Sequence, residues 1–289
     1  MKKDQGFVRA LDGHRIFWTS WGMSEVAPEA PVVVLVHGYG EHIGRYDHVA
    51  AFLNEGGLGV LGIDVRGHGQ SEGARGHVVR FDEYLVDVAA AFDEAHRQHP
   101  GGQRILLGHS NGGLIATRYA LCESGRRPDV LIVSGPLLGL SMEVPAWKAT
   151  LGRGLSRLRP ETALPSEIDS KLLSHDADIV ARYAVDPLVH HVATARYFTE
   201  MQAAIEDVFQ RAHNLMMPLL ILAGGADQVV DPGGARRLLH AVGTDDRKHI
   251  EYEGLYHEIF NELERARVLG DVRAWLEAHG LWGGAGDGA

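Results

Sequence analysis

One cysteine in 289 residues leaves no internal disulfide to form, and Cys122, set among residues of helical spacing, is expected as a buried thiol. Positive charge is also scarce. Lys and Arg number 28 against 38 Asp and Glu, a formal net charge of −10, which excludes a nucleic-acid partner because phosphates require a basic surface. No apolar run reaches the length of a membrane span, and Met1-Lys2-Lys3-Asp4-Gln5 leads into no hydrophobic signal core, so a cytoplasmic location is expected. A zinc helix is missing too: His257-Glu258-Ile259-Phe260-Asn261 has Asn where the second His would stand. His190-His191 finds no third ligand at a useful spacing and is read as a solvated pair, so no metal is expected. There are no internal repeats.

What is present is enough apolar material for a large core, with 45% hydrophobic and 23% charged residues, the mixture of one soluble α/β domain with or without an insertion. Phe7 to Trp21 reads as a hairpin turning at Asp12-Gly13. Val32-Val33-Val34-Leu35-Val36 is apolar at every position, as a strand covered on both faces must be. A helix follows over Arg45 to Asn54, stopped by Gly56-Gly57, then a strand over Leu58 to Ile63. Arg66 to Gly69 is a turn and Gln70 to His77 a loop. Phe81, Leu85, Val88 and Phe92 recur at helical spacing. Gln103 to Leu107 and Val130 to Val133 are two more strands. Strands alternating with helices predict βαβ units and a mostly parallel sheet with helices on both faces.

The alternation stops after Ser134-Gly135-Pro136. Residues 137–214 show helical stretches and no strand-like run, so they are read as a helical insertion in a core made of residues 1–136 and 215–289. Pro218 to Leu222 resumes the strand pattern, Asp231-Pro232-Gly233 opens a capped helix, Lys248 to Tyr252 is a last strand and Leu263 to His279 a last helix. The Gly-rich stretch from Gly280 to Ala289 is expected to fray.

The chain's centre is Gly108-His109-Ser110-Asn111-Gly112, a G-x-S-x-G pattern on a strand-to-helix turn. Such a turn needs a strained backbone at the serine and close approach of strand and helix, which a Cβ at either flank would obstruct. It lifts the Ser110 hydroxyl above a helix N-terminus, where developing negative charge is favoured.

A serine hydroxyl needs a base. In the order serine, acid, histidine, the acid should end a late strand and the histidine should follow the final one. Asp227 and His257 meet those conditions. Asp231 competes as the acid but is better placed as a helix cap. His109 adjoins the nucleophile and points elsewhere, while His37 and His68 read as loop imidazoles bonded to backbone. His37-Gly38-Tyr39-Gly40 follows the first fully apolar strand, so the N–H of Tyr39, with that of Asn111, is expected to form an oxyanion hole.

These stretches resemble the α/β-hydrolase superfamily, and within it the monoacylglycerol lipase and lysophospholipase group. The resemblance rests on His37-Gly38-Tyr39-Gly40-Glu41-His42-Ile43-Gly44-Arg45-Tyr46, Asp64 to Gly73, the elbow, Asp186-Pro187-Leu188, and Tyr256-His257-Glu258 with Asn261-Glu262. It implies a serine ester hydrolase, working without a cofactor through an acyl-enzyme on a monoacylglycerol or similar small acyl ester, with lysophospholipids or other carboxylic esters as alternatives. It implies that the insertion is a cap, and that Glu41 and Arg45 bind substrate near the glycerol. No protein partner is implied. A non-catalytic hydrolase scaffold is the reading from another class, and it would be expected to lack a triad member.

Two positions depart from the family. Asn111 stands where Met is usual, and its amide is expected to face the pocket or to be held by a protein partner, the pocket being preferred. Phe260 occupies a place where relatives can turn a polar residue to the glycerol. In the insertion, Trp147, Leu151, Leu155 and Leu158 lie near one helix face, with Lys148, Arg153, Arg157 and Arg159 around it. That face is read as packed on the domain beneath, or as resting transiently on a membrane surface.

Overall fold

The computed structural model describes residues 1–122, 125–141, 146–166 and 168–283, except the side chains of 146–151. The expected behaviour of Gly284 to Ala289 and the facing of Trp147, Lys148 and Leu151 lie outside the described residues.

The strands are β1 (Lys3–Arg9), β2 (Arg15–Trp21), β3 (Val32–Val36), β4 (Gly59–Ile63), β5 (Arg104–His109), β6 (Val130–Ser134), β9 (Leu219–Gly224) and β10 (Arg247–Tyr252). They form one eight-stranded sheet in the order β1-β2-β4-β3-β5-β6-β9-β10. Only β2 runs against the others; from β4 to β10 every pairing is parallel. Alternate residues of the central strands feed two separate cores. Val32, Val34, Leu106, Leu131, Val133 and Ile221 face one side, packed with Phe92 of helix α2 (Glu83–Gln98), Leu114 of α3 (Asn111–Ala120) and Leu238 of α7 (Pro232–Ala241). Val33, Leu35, Ile105, Leu107, Ile132 and Leu222 face the other, with Leu53 of α1 (Asp47–Glu55) and Val272 of α8 (Arg265–Ala278). The central stretch of each strand, covered on both faces, is continuously apolar for that reason, while polar Arg104, His109 and Ser134 stand only at strand ends.

Between β6 and β9 lie α4 (146–158), α5 (Ala177–Val185) and α6 (Ala195–Arg211). They are joined by a short antiparallel pair, β7 (Ala163–Pro165) and β8 (Val192–Thr194). That pair departs from the strand-free reading of 137–214, because three-residue strands are too short to show an alternation. Leu158 departs too. It is 84% exposed, while the buried Ser156 hydroxyl meets Thr199 Oγ1 of α6 at 2.8 Å. Cys122 is half-buried rather than buried, although burial still raises its thiol pKa. Among the described residues, no helix is long and apolar enough to cross a membrane.

The parallel strands end on one edge of the sheet. The loops that follow β3, β5, β9 and β10 therefore converge there, where ligands bind in open α/β sheets.

Candidate active site

Ser110 is the one non-glycine residue with positive φ among the described residues, at φ 54. The neighbouring glycines explain how that is tolerated. A Cβ on Gly108 would lie 2.2 Å from the Gly112 carbonyl oxygen, and one on Gly112 would lie 2.2 Å from that of Val36. Helix α3 can start directly under the sheet edge only where neither position has a side chain. The Ser110 N–H donates to the Ser134 carbonyl at 2.9 Å, tying the backbone of the turn to the end of β6.

His257, in the loop after β10, places Nε2 at 2.8 Å from Ser110 Oγ. Its Nδ1–H donates to Asp227 Oδ2 at 2.6 Å. The other Asp227 oxygen accepts the N–H groups of Val229 and Val230 at 2.8 and 2.9 Å, so the carboxylate cannot rotate away. Burial pushes the Asp227 pKa up, but the facing imidazole and these N–H groups outweigh it and the net shift is downward. Burial pulls His257 down, and Asp227, then Glu258 and Glu41, bring its net shift upward. The structure therefore brings Ser110, Asp227 and His257 together. Asp231 is elsewhere: it caps α7 through the Gly233 N–H at 2.8 Å and pairs with Arg237 at 3.1 Å.

His109 does not compete for the serine. Its Nδ1 meets Ser134 Oγ at 3.2 Å, and burial together with the charge of His257 lowers its pKa to about 4. His37 and His68 are bonded to backbone, His37 to the Gly38 carbonyl and the Val65 N–H, and His68 to the Arg66 carbonyl.

The N–H groups of Tyr39 and Asn111 have no internal acceptor among the described residues, and both residues flank Ser110. The Tyr39 side chain points away into the insertion. Its hydroxyl lies 2.9 Å from the Val192 carbonyl oxygen and 3.2 Å from that of Gly76, and its ring stacks on Tyr197 at 4.3 Å. The Gly40 carbonyl accepts the His190 N–H at 2.9 Å. The insertion thus grips the loop after β3 from above.

A narrow cleft opens over Ser110. Gly38, Tyr39, Glu41, His257 and Glu258 line it from the sheet side, and Ile168, Leu173 and Tyr183 from the insertion. Glu41 is in this lining and Arg45 is not. The Arg45 guanidinium is held behind by Glu41 and by both oxygens of Glu258 at 2.7 and 2.6 Å. Both its Nη atoms are thus engaged by carboxylates, and the structure does not place it at the cleft surface where a glycerol contact was expected.

Two further expectations are corrected, those for Asn111 and His190. Asn111 is fully buried, lies outside the cleft lining, and accepts the Tyr197 hydroxyl at Oδ1 over 3.1 Å. A protein partner holds it, and the pocket reading fails. Phe260 is 2% exposed within the α1–α8 core, so its ring turns away from the cleft. His190 is not solvated. Both its ring nitrogens are buried without a hydrogen-bond partner among the described residues, and its ring lies 4.6 Å from His68 and 5.4 Å from Tyr39. Its neighbour His191 is exposed. Among the described residues, no group of three or more His, Cys, Asp or Glu is arranged to hold a metal. The role of Glu258 was missed in the sequence, where it appeared only as part of a motif.

The family model described as serine aminopeptidase, S33 matches residues 27–264. The chain is 36% identical over 271 residues to a monoacylglycerol lipase of Mycolicibacterium smegmatis, covering 93% of this chain and 95% of the relative. It is 31% identical over 249 residues to the phospholipase YtpA of Bacillus subtilis, covering 86% and 95%. The crystal structure of the Paleococcus ferrophilus monoacylglycerol lipase superposes with a TM-score of 0.77 at 32% identity, covering 96% of this chain and 100% of that one.

Proposed function

The chain belongs to the serine aminopeptidase S33 family of α/β-hydrolases, and from that premise we propose that it hydrolyses monoacylglycerols through an acyl-enzyme on Ser110. The Ser110–His257–Asp227 relay, with contacts of 2.8 and 2.6 Å, is the observation that carries this reading. Ser110 Oγ attacks the ester carbonyl as His257 Nε2 takes its proton. Asp227 holds the imidazole in the tautomer that leaves Nε2 free, and it stabilises the imidazolium. The N–H groups of Tyr39 and Asn111 receive the oxyanion, each worth about 3 kcal/mol in the transition state. His257 returns the proton to the departing glycerol oxygen. Water, deprotonated by the same imidazole, then releases the fatty acid.

Residues 137–214 act as the cap in this reading, with 1–136 and 215–289 as core, and Glu41 as the polar contact for the alcohol. Exposed Leu158 and Leu164, beside exposed Arg157 and Arg159, suit the cap to transient contact with an anionic lipid surface.

A fluorophosphonate probe tests the chemistry: it should label wild-type protein at Ser110 and leave Ser110→Ala unlabelled. Turnover of monooleoylglycerol, lysophosphatidylcholine and p-nitrophenyl butyrate tests the substrate. Preference for lysophosphatidylcholine would transfer the assignment to the lysophospholipase reading, which the likeness to a phospholipase favours.

A further inference from the structure

Glu258 follows His257 directly and is buried, its side chain 5% exposed. Arg45 grips its carboxylate as a fork, Nη1 on Oε1 at 2.7 Å and Nη2 on Oε2 at 2.6 Å, and the Asn261 amide donates to it at 2.8 Å. Arg45 Nη1 also donates to Glu41 Oε2. The other oxygen of Glu41 accepts the Gly38 N–H and the Tyr46 hydroxyl, both at 2.7 Å. Gly38 immediately precedes Tyr39, so an unbroken buried path runs from the residue beside the imidazole to the residue beside the oxyanion donor. The path has no slack: a Cβ on Gly38 would lie 2.8 Å from Glu41 Oε1 and 3.2 Å from the Ser110 Cβ.

The charges along the path do not cancel. Two carboxylates share one guanidinium, with side-chain exposures of 3%, 10% and 5% for Glu41, Arg45 and Glu258. One negative charge is left in excess where water screens it poorly. A network serving packing alone would gain from a balanced pair or from apolar residues of similar volume, since burying charge is costly.

We propose that Glu258 is a positioning residue for the hydrolysis. Through Arg45 and Glu41 it holds the His257 loop in register with the oxyanion loop, and it supplies the surplus negative charge that favours the imidazolium formed as Ser110 loses its proton. This rests on the serine-hydrolase reading. The charged and titratable groups that face the imidazole or bear on it are Asp227 from the loop after β9, His109 from β5, Glu41 and Arg45 from the loop after β3, and Glu258 itself. Asp227 is the strongest favourable influence, and Glu258 and Glu41 add to it.

The experiment is the pH dependence of kcat and kcat/KM for wild type and Glu258→Gln, on monooleoylglycerol and on p-nitrophenyl butyrate. The amide keeps the shape and removes the charge. The expected result is a plateau kcat lower by about tenfold on both esters with KM little changed. The acid limb of kcat/KM should also move to lower pH by about half a unit, because a neutral amide no longer favours the protonated ring. An unmoved limb overturns the proposal. So does a loss confined to KM for monooleoylglycerol, which would make Glu258 a substrate contact. If Glu258→Gln does not fold, Glu258→Asp serves: it retains the charge, so the plateau should drop while the limb stays at the wild-type pH, and a shifted limb there overturns the proposal. A wild-type protein that fluorophosphonate does not label at Ser110 removes the hydrolase reading itself, whereas labelled protein with an unmoved limb removes only the role of Glu258.

Discussion

The Tyr197 hydroxyl donates to Asn111 Oδ1 across 3.1 Å, joining helix α6 of the insertion to the residue that follows Ser110. Asn111 Nδ2 is buried without a partner among the described residues, so the bond at Oδ1 is the one they supply to the amide. Tyr197→Phe leaves the Asn111 oxygen unpaired as well, at a cost of about 1–3 kcal/mol. Its melting temperature should fall by several degrees, with the acyl-length profile on p-nitrophenyl esters unchanged. A profile that shifts toward longer chains would return Asn111 to the substrate site.

The two nearby aspartates should separate cleanly. Asp227→Asn leaves the wrong imidazole tautomer facing Ser110 and should lower kcat by about 10³-fold or more, as should Ser110→Ala and His257→Ala. Asp231→Asn should keep full activity and lose at most about 1 kcal/mol of helix capping. Ester hydrolysis and thermal melts of all four proteins check this.

Arg45→Met deletes the one cation between Glu41 and Glu258. Breaking a buried ionic network by removing one partner costs about 3–5 kcal/mol. The variant should therefore melt well below wild type and lose activity equally on monooleoylglycerol and p-nitrophenyl butyrate. A stable variant impaired only on the monoacylglycerol would restore Arg45 as a glycerol contact.

What the sequence disclosed follows from range. β3, β5, β6 and β9 announce themselves because double-sided burial forces a continuous apolar run along the middle of each. The elbow is legible because its glycines are demanded by atoms a few residues away. Asp227 and His257 could be found because chain order and strand ends fix where they must stand. Tyr197 and Asn111 are 86 residues apart and neither carries a local signal for the other. Arg45 and Glu258 are 213 apart, and nothing in either segment says that the guanidinium faces inward rather than into the cleft. The resemblance placed Arg45 near the alcohol, but the bidentate partner that withdraws it became visible only in three dimensions.

Acid should weaken the fold before it protonates most carboxylates. Burial lowers the pKa values of His37, His68, His109 and His190, the last two to about 4. The unfolded chain takes up these protons from about pH 6.5 downward while the native state resists them, at His109 and His190 until about pH 4, so stability falls as pH falls below about 6.5. His257 works the other way: its pKa is raised, so its contribution is present in acid and lost as pH rises. His48, His99 and His249 are lowered as well, so the lowered imidazoles outweigh the one that is raised. Melting temperatures at pH 7, 6, 5 and 4.5 should decline at each step, and a flat profile would show that these rings are hydrated.

The grip of Val192 and His190 on Tyr39 and Gly40 bears on how such enzymes can be recombined. Exchanging residues 137–214 for a relative's segment looks like a way to import a new acyl pocket onto an unchanged reaction centre. Here the segment also supplies a carbonyl for the Tyr39 hydroxyl and an N–H for the Gly40 carbonyl, so the graft replaces half of the mould in which the loop after β3 is set. A chimera whose donor does not match Tyr39, Gly76 and residues 190–194 together would lose turnover on every ester, including those its new pocket fits.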